Sequence, residues 1–453
     1  MYLKKTKLII ALMIMLSAAE ATAQSITGSP YSRYGIGDIC APGTGQSIAM
    51  GGTSAAESNP IFVNTVNPAC NTSLPPNRFV FDVGLDVKYT DTKSASESEK
   101  TCKSTFKYLA GGFAAKPWWY FSFSLKPYSS TGYSASSTDA TQKGPDGETY
   151  PYSFSYKGKG GLNKVSIGTA FKFLDMFSVG FNGSVLFGSI EHTQTSSITR
   201  SGFTINGKAY PYSSYYYLND KRVMHGMQGD IGLRFEKSWK SAKDSLRDAL
   251  RISLGAYMSS QASLKARNEI FIEDQHTYYS SYYNGTSYYT AKVDTIANDT
   301  ISNAKVKLPK GFGIGASVEL AEKLTINADY HTQKWGGFSL PNDASNARVR
   351  DSKYFGFGMQ YVNAKYSSKF YRTIIYRIGT YKQETYFQID GHGIDDKGVS
   401  FGLGFPIRQL MLNITCQLGK RGTTANNLYE EKYFLVHFNA TLRDVWFVKR
   451  KFQ

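Results

Sequence analysis

From Arg78 onward the sequence repeatedly alternates apolar and polar side chains with a period of two. Residues 79–89 place Phe79, Phe81, Val83, Leu85, Val87 and Tyr89 on one face. The other face carries Val80, Asp82, Gly84, Asp86 and Lys88. Residues 409–418 set Leu410, Leu412, Ile414, Cys416 and Leu418 against Gln409, Met411, Asn413, Thr415 and Gln417. Residues 433–442 set Phe434, Val436, Phe438, Ala440 and Leu442 against Tyr433, Leu435, His437, Asn439 and Thr441. Successive side chains of a strand point to opposite faces, so this period with one apolar face specifies β-strand. A soluble sandwich shows the same alternation. Stretches of ~10 residues, with the apolar face turned out to lipid, are what a membrane barrel requires.

Fourteen such stretches can be drawn: 78–90, 103–116, 119–135, 162–174, 176–194, 221–238, 249–267, 306–320, 323–338, 352–365, 373–389, 397–407, 409–420 and 431–443. The connections after even-numbered strands are mostly short, as at Pro117-Trp118, Asp175, Ala321-Glu322 and Ile407-Arg408. Those after odd-numbered strands are mostly long: 136–161, 195–220, 268–305 and 339–351. Short periplasmic turns alternating with long outer loops mark an outer-membrane barrel. The expected fold is all-β, a transmembrane antiparallel β-barrel of about 14 strands. Trp118, Trp119 and Tyr120 at a short turn read as an interfacial girdle, and Phe452 as the aromatic ending of such a barrel.

Composition agrees. Aromatics are 15% of the chain, with 33 Tyr and 28 Phe, which is far from a disordered chain. After residue 24 no apolar run is long enough for a membrane helix. The net charge is +17, yet the basic residues are scattered, so nucleic acid is not an expected partner. An anionic membrane surface or a solubilising exterior suits that charge.

Lys4, Lys5 and Lys7, the apolar run 8–19 and Ala21-Thr22-Ala23 form a secretory signal peptide over 1–23. Gln24 follows the cleavage point, so a lipid-anchored N-terminus is not expected. Four cysteines remain: Cys40, Cys70, Cys102 and Cys416. Cys40 and Cys70 share one segment and form a disulfide or stay free; Cys416 lies on an outward face. No metal-ligand spacing is present.

Residues 24–77 do not alternate. They are rich in Gly, Ser, Pro and Asn, as in Ser29-Pro30-Tyr31-Ser32-Arg33-Tyr34-Gly35-Ile36-Gly37-Asp38 and Asn67-Pro68-Ala69. Two readings follow, a periplasmic linker or a plug inside the lumen. Fourteen strands enclose more space than their own side chains fill.

Gly51-Gly52, Ala55-Ala56 and Asn67-Pro68-Ala69 ahead of a barrel of this size resemble the FadL/TodX family of outer-membrane transporters for hydrophobic molecules. The ending Lys420-Arg421-Gly422-Thr423-Thr424 with Trp446-Phe447 resembles a divergent branch of it. The resemblance implies that 24–77 is a hatch closing the lumen and 78–453 the barrel. It also implies a kinked third strand with a lateral opening. That strand carries Pro127 in mid-course, and proline cannot donate to a ladder. Phe121, Phe123 and Leu125 are expected to point out, and Ser122, Ser124 and Lys126 in.

No catalytic grouping is evident. The six His are scattered, and Asp390-Gly391-His392-Gly393-Ile394-Asp395-Asp396 reads as a solvated turn or a cation loop. No enzyme, metal or cofactor is expected. Lys126 is the candidate cation for a ligand carboxylate, beside Pro127. Lys172, Arg234 and Arg251 phase inward near short turns, as rim charges. Arg33 is expected to pair with Asp82 or Asp86. The tyrosine runs Tyr215-Tyr216-Tyr217, Tyr278-Tyr279, Tyr282-Tyr283 and Tyr288-Tyr289 fall in the long outer loops, as packing or as a ligand-collecting surface. The expected function is passive uptake of a hydrophobic or amphipathic, fatty-acid-like small molecule, gated by the hatch. The site candidates are Asn67, Pro68, Ala69, Lys126, Pro127 and Arg33. The alternative is a non-transporting barrel subunit of a secretion or assembly complex. Outer-membrane lipid and lipopolysaccharide surround either, in a Gram-negative outer membrane, with other outer-membrane proteins as further partners.

Overall fold

The computed structural model describes residues 28–446, apart from 144–148, 201–203, 206–207, 210–211, 241–247, 284–285, 339, 341–347, 365–366 and 368. The expected signal peptide and Phe452 lie outside the described residues.

Fourteen antiparallel strands close into one barrel. They are β1 (Arg78–Lys93), β2 (Ser98–Lys116), β3 (Trp119–Lys143), β4 (Thr149–Phe173), β5 (Phe177–Arg200) and β6 (Tyr212–Lys240). Two interrupted strands follow, β7 (Asp248–Ser259, then Ala262–Tyr283) and β8 (Thr286–Leu308, then Gly311–Leu320). The rest are β9 (Leu324–Gln333), β10 (Ser352–Val362), β11 (Ile375–Ile389), β12 (His392–Ile407), β13 (Leu410–Gly422) and β14 (Glu430–Val445). Each strand pairs with the next, and β14 returns to β1, from Arg78↔Val445 to Lys93↔Glu430. Closure leaves no open sheet edge at the seam, as a lipid environment demands.

The two faces of the wall are inverted relative to a soluble protein. Outward Leu85, Ile167 and Ile378 are 45%, 69% and 49% exposed, whereas inward Asp82 and Asp86 are buried. Apolar residues face the bilayer and polar ones the lumen. Cys416 stands in the outward row between Phe401 and Val436, and all four cysteines are free.

The short turns are where the alternation puts them. Leu174 and Asp175, and again Ala321 and Glu322, are consecutive residues with positive φ. That is the backbone of a tight hairpin whose twist matches its strands. At the other end the expected loops need correction. Most of 136–161, 195–220 and 268–305 is strand, as β3 to β8 run on as long hairpins. Above the membrane neither face meets lipid, so ladder pairing continues without the alternation that would reveal it. Tyr215, Tyr216 and Tyr217 therefore sit within β6, paired to β5 and β7, and not in a loop.

Residues 28–77 fill the lumen. A 3-10 helix (Pro30–Arg33) is capped by Ser29, whose hydroxyl accepts from the Tyr31 amide. Next come a two-residue strand (Asp38–Ile39), one helical turn (Gln46–Ala49) and a second 3-10 helix (Pro68–Ser73) capped by Asn67. Tyr31, Ile36, Ala49, Met50, Ala55, Val63, Ala69 and Cys70 are essentially fully buried. The wall makes room with inward glycines: a Cβ at Gly255 would lie 1.9 Å from the Ala55 carbonyl oxygen, and one at Gly379 2.1 Å from the Gly51 amide nitrogen.

Candidate functional site

Among the described residues, the wall parts between β2 and β3. β2 and β3 leave their shared turn paired, from Lys116↔Trp119 to Leu109↔Leu125, and then part. Above that point β2 continues its pairing with β1 and β3 its pairing with β4, but no longer with each other. The separation begins next to Pro127, which lacks the amide hydrogen a ladder needs. The register of β3 against β4 also slips between Pro127 and Ser129. Proline and bulge together turn the strand away from its neighbour.

The chain's own N-terminal segment occupies the opening. Asp38 and Ile39 pair antiparallel with Ser130 and Ser129 of β3. The Cys40 amide donates to the Tyr128 carbonyl at 3.0 Å, and the Gly132 amide donates to Ser32 Oγ at 3.0 Å. Gly37 has φ of 84°, and a Cβ there would lie 2.4 Å from the Ser130 carbonyl oxygen. Only glycine takes that backbone so close to β3. On the β2 side Gly28 lies against the side chains of Thr101 and Lys103.

Charges hold the segment from across the lumen. Arg421 on β13 pairs with Asp38 at 2.7 Å and with Glu431 at 3.8 Å, its guanidinium over the rings of Tyr31 and Phe387. Ser29 Oγ donates to Glu431. Tyr386 Oη donates to the Gly37 carbonyl at 2.6 Å. Deeper, Asp329 accepts from the Ser54 and Ala55 amides at 2.5 and 2.6 Å, and Arg377 donates to Gln46 Oε1 at 2.8 Å. Glu57 is buried beside Gln46, and burial pushes its carboxyl up to about 8 against the downward pull of Arg377.

Two small cavities flank the segment, each about 140 Å³, and Ile39, Cys40, Ala41 and Pro42 line both. The first also touches Asp86, Lys107, Tyr381, Asp396, Arg421 and Tyr433. The second touches Lys126, Lys164, Asp230, Tyr257 and His331. A third, about 400 Å³, opens toward the short-turn end between Glu57, Ile61, Arg251, Val362, Ile375 and Arg443.

The sequence candidates divide between these places. Lys126 faces the second cavity and donates to the Thr65 carbonyl and hydroxyl at 3.3 and 3.4 Å. Pro127 marks the start of the gap. Asn67 is a junction: its side-chain amide donates to the carbonyls of Ala55 (2.6 Å), Leu233 (3.1 Å) and Ala256 (3.4 Å), and its Oδ1 accepts from the Ala69 amide at 3.0 Å. Pro68 and Ala69 lie against Gly180 of β5. Asn67, Pro68 and Ala69 thus tie the segment to β5, β6 and β7, away from the gap.

Arg33 requires correction. It is exposed and stands over the Tyr156 ring at 5.0 Å. Asp82 is taken by Asn439 and Thr441, and Asp86 by His437 and Lys107. A bulge in β2 opposite Gly84 and Leu85 brings Lys107 to Asp86 at 3.3 Å. Of the rim charges, Arg251 pairs with Asp248 and Glu319, while Arg234 is buried against Glu236 and the Cys70 carbonyl. Lys172 lies 3.9 Å from Asp175 at the turn. Asp395 accepts from Arg350 at 2.6 Å and Asp396 from Tyr433 at 2.9 Å, so two of the three carboxylates of the 390–396 stretch serve protein partners. Asp38 and Arg421 were not singled out by their sequence context. The available signal was an inward-phased arginine at the far end of β13.

Three solved outer-membrane proteins share this fold. The toluene transporter TbuX of Ralstonia pickettii matches at 17% identity and TM-score 0.51, covering 89% of this chain and 99% of that one. The toluene transporter TodX of P. putida matches at 14% and 0.53, covering 90% and 100%. A Pseudomonas aeruginosa FadL homologue matches at 11% and 0.51, covering 90% and 99%. No curated protein matches the chain by sequence. The family model for BamG matches residues 4–453, nearly the whole sequence. With the fold that these FadL-like barrels share, and a family model matched over nearly its whole length, the chain belongs to the BamG family.

Proposed function

We propose that the protein carries out passive uptake of hydrophobic or amphipathic small molecules across an outer membrane, with the N-terminal segment as hatch and the β2–β3 gap as lateral exit. One observation carries this reading. Residues 39–42 separate the two lumenal cavities and adjoin the chain that fills the gap. Displacing that one stretch would join the cavities and unseal the wall together. The bound path would run beside Lys126, where an amphipathic ligand's carboxylate finds a cation. No group that couples uptake to an energy source is invoked, so flow follows the gradient.

A disulfide tests it. With Cys40→Ser in the background, Ile39→Cys and Ser129→Cys face each other across the antiparallel pair. Directly opposite Cβ atoms lie ~4.5–5.5 Å apart in such a pair, a span a disulfide closes with a small backbone shift. Oxidised protein should lose uptake of a fluorescent amphipathic probe into liposomes, and reductant should restore it. Equal uptake in both states would remove the lateral route.

A second reading has its own support. Cavities of about 140 Å³ are small beside the ~300–1,000 Å³ of ordinary ligand sites. The buried Asp38–Arg421 ion pair also ties the segment to the wall. These features suit a permanently closed barrel subunit of an outer-membrane secretion or assembly complex. Native mass spectrometry separates the two. A small-molecule adduct on a lone barrel supports uptake, and a stoichiometric protein complex with an empty lumen supports the subunit.

A further inference from the structure

Charged residues on the outer surface of the barrel are arranged differently on two walls. On β4 to β7, one cross-strand row reads Lys159, Glu191, Lys221, Glu269, each directly opposite the next. The signs alternate, and ion pairs form at 3.3 Å (Lys159–Glu191) and 3.7 Å (Lys221–Glu269). On β11 to β14 the corresponding row reads Lys382, Lys397, Lys420, Lys432, again each directly opposite the next. All four are exposed.

Like charges directly opposite one another destabilise a sheet. The row has little internal relief. Glu430 serves both Lys420 (2.8 Å) and Lys432 (3.3 Å). Asp91, opposite Lys432, is paired with Lys93 at 3.6 Å, and Glu384, two residues from Lys382, with Lys353 at 3.2 Å. Among the described residues Lys382 and Lys397 have no acidic partner.

The height of the row is informative. Lys397 lies ten residues from Ile407 at the short-turn end of β12. At ~3.4 Å per residue and a tilt of ~40°, that is ~25 Å of height, the thickness of the apolar band of such barrels. Directly beneath the lysines stands the outward row Val399, Leu418, Phe434 and Tyr89. An open groove of about 650 Å³ runs from Lys397, Lys420, Lys432 and Asp91 to those apolar side chains, and Lys382 stands beside it, opposite Lys397.

We propose that this groove binds a phosphorylated lipid of the outer leaflet, its phosphate groups lying across Lys382, Lys397, Lys420 and Lys432 and its acyl chains against Val399, Leu418, Phe434 and Tyr89. Cationic side chains next to a bilayer attract anionic headgroups at their own height. The groove supplies both halves of an amphipathic ligand, and the phosphates replace the acidic row that the opposite wall builds from Glu191 and Glu269. The site is on the lipid side of the wall, so it stands whether or not the lumen conducts.

The test uses the full mature barrel in mild detergent, with native mass spectrometry against diphosphoryl lipid A and the same lipid stripped of phosphate. The intact lipid should bind about tenfold or more tightly than the stripped one, with affinity falling as salt rises. The Lys382→Gln, Lys397→Gln, Lys420→Gln triple variant should bind the intact lipid about tenfold or more weakly. A Lys159→Gln, Lys221→Gln control should bind as wild type does. Heat-modifiable gel migration checks that each variant is folded. Should the triple variant fail to fold, the comparison of the two lipids on wild-type protein decides alone. Equal binding of both lipids, or full retention by a folded triple variant, overturns the proposal. Competition by micromolar inorganic pyrophosphate overturns the lipid assignment.

Discussion

Asp38 and Arg421 meet at 2.7 Å although 383 residues separate them in the chain. Asp38 belongs to the strand that fills the gap beside β3, and Arg421 to β13 on another part of the wall. The ion pair therefore fastens the filling strand to a wall strand that does not itself flank the gap. Removing one partner of a buried pair costs ~3–5 kcal/mol, because the other charge is left without compensation. Arg421→Met leaves two carboxylates, Asp38 and Glu431, in that position. The expected outcome is a barrel that still migrates as folded but whose residues 28–42 become open to protease. Asp38→Asn should have a smaller effect, since Glu431 still faces Arg421.

Pro127→Ala restores a backbone donor where β2 and β3 part. Under the lateral-exit reading it favours pairing across the gap. Uptake should fall several-fold with the barrel still folded, measured as probe entry into liposomes alongside gel migration. Undiminished uptake by a folded Pro127→Ala protein counts against an exit there.

The seating of the N-terminal segment should depend on pH through Glu57. Its buried carboxyl is raised from 4.5 to about 8, so the folded state prefers the protonated acid. Stability from this group is fully present below about 4.5 and is lost as pH rises through about 8. Hydrogen exchange across 54–61 should accelerate over that interval. Glu57→Gln, neutral throughout, should flatten the profile and protect the segment better at alkaline pH. A profile unchanged by the substitution would assign the pH response to another group.

Gly51 has φ of 67°, and a Cβ there would sit 2.3 Å from the Thr380 carbonyl oxygen and 2.6 Å from that of Phe357. Gly51→Ala combines left-handed strain with a clash against two fixed strands. Strain of this kind costs ~1–3 kcal/mol, before the clash is relieved. Faster exchange of 46–56, with the wall amides unchanged, is the expected signature. Loss of protection in β10 and β11 as well would mean that the segment also props the wall.

The sequence made the wall legible because lipid and lumen impose opposite requirements on neighbouring residues. Leu85 must face out and Asp86 in, and the alternation records this at every spanning strand. Beyond the membrane that requirement lapses, so the extended hairpins of β3 to β8 left no periodic trace. Pro127 pointed to the gap because a missing donor is visible in one residue. What fills the gap was not visible. The pairing of Asp38 with Ser130 depends on backbone groups that every residue has, and the Asp38–Arg421 contact joins distant parts of the chain. Arg33 shows the same limit: charge sign admitted a partner among Asp82 and Asp86, but both acids were already engaged by β14 side chains.

The ring closes when β14 pairs with β1, and by then its interior is occupied by the residues that precede β1. Glycines such as Gly255 and Gly379 touch that interior chain backbone to backbone, which leaves little clearance for threading it in afterwards. A barrel whose strands wrap around the N-terminal segment, like a sleeve formed on a mandrel, meets no such threading step. Synthesis begins at that same end, so the piece that such an assembly needs earliest is also the first made.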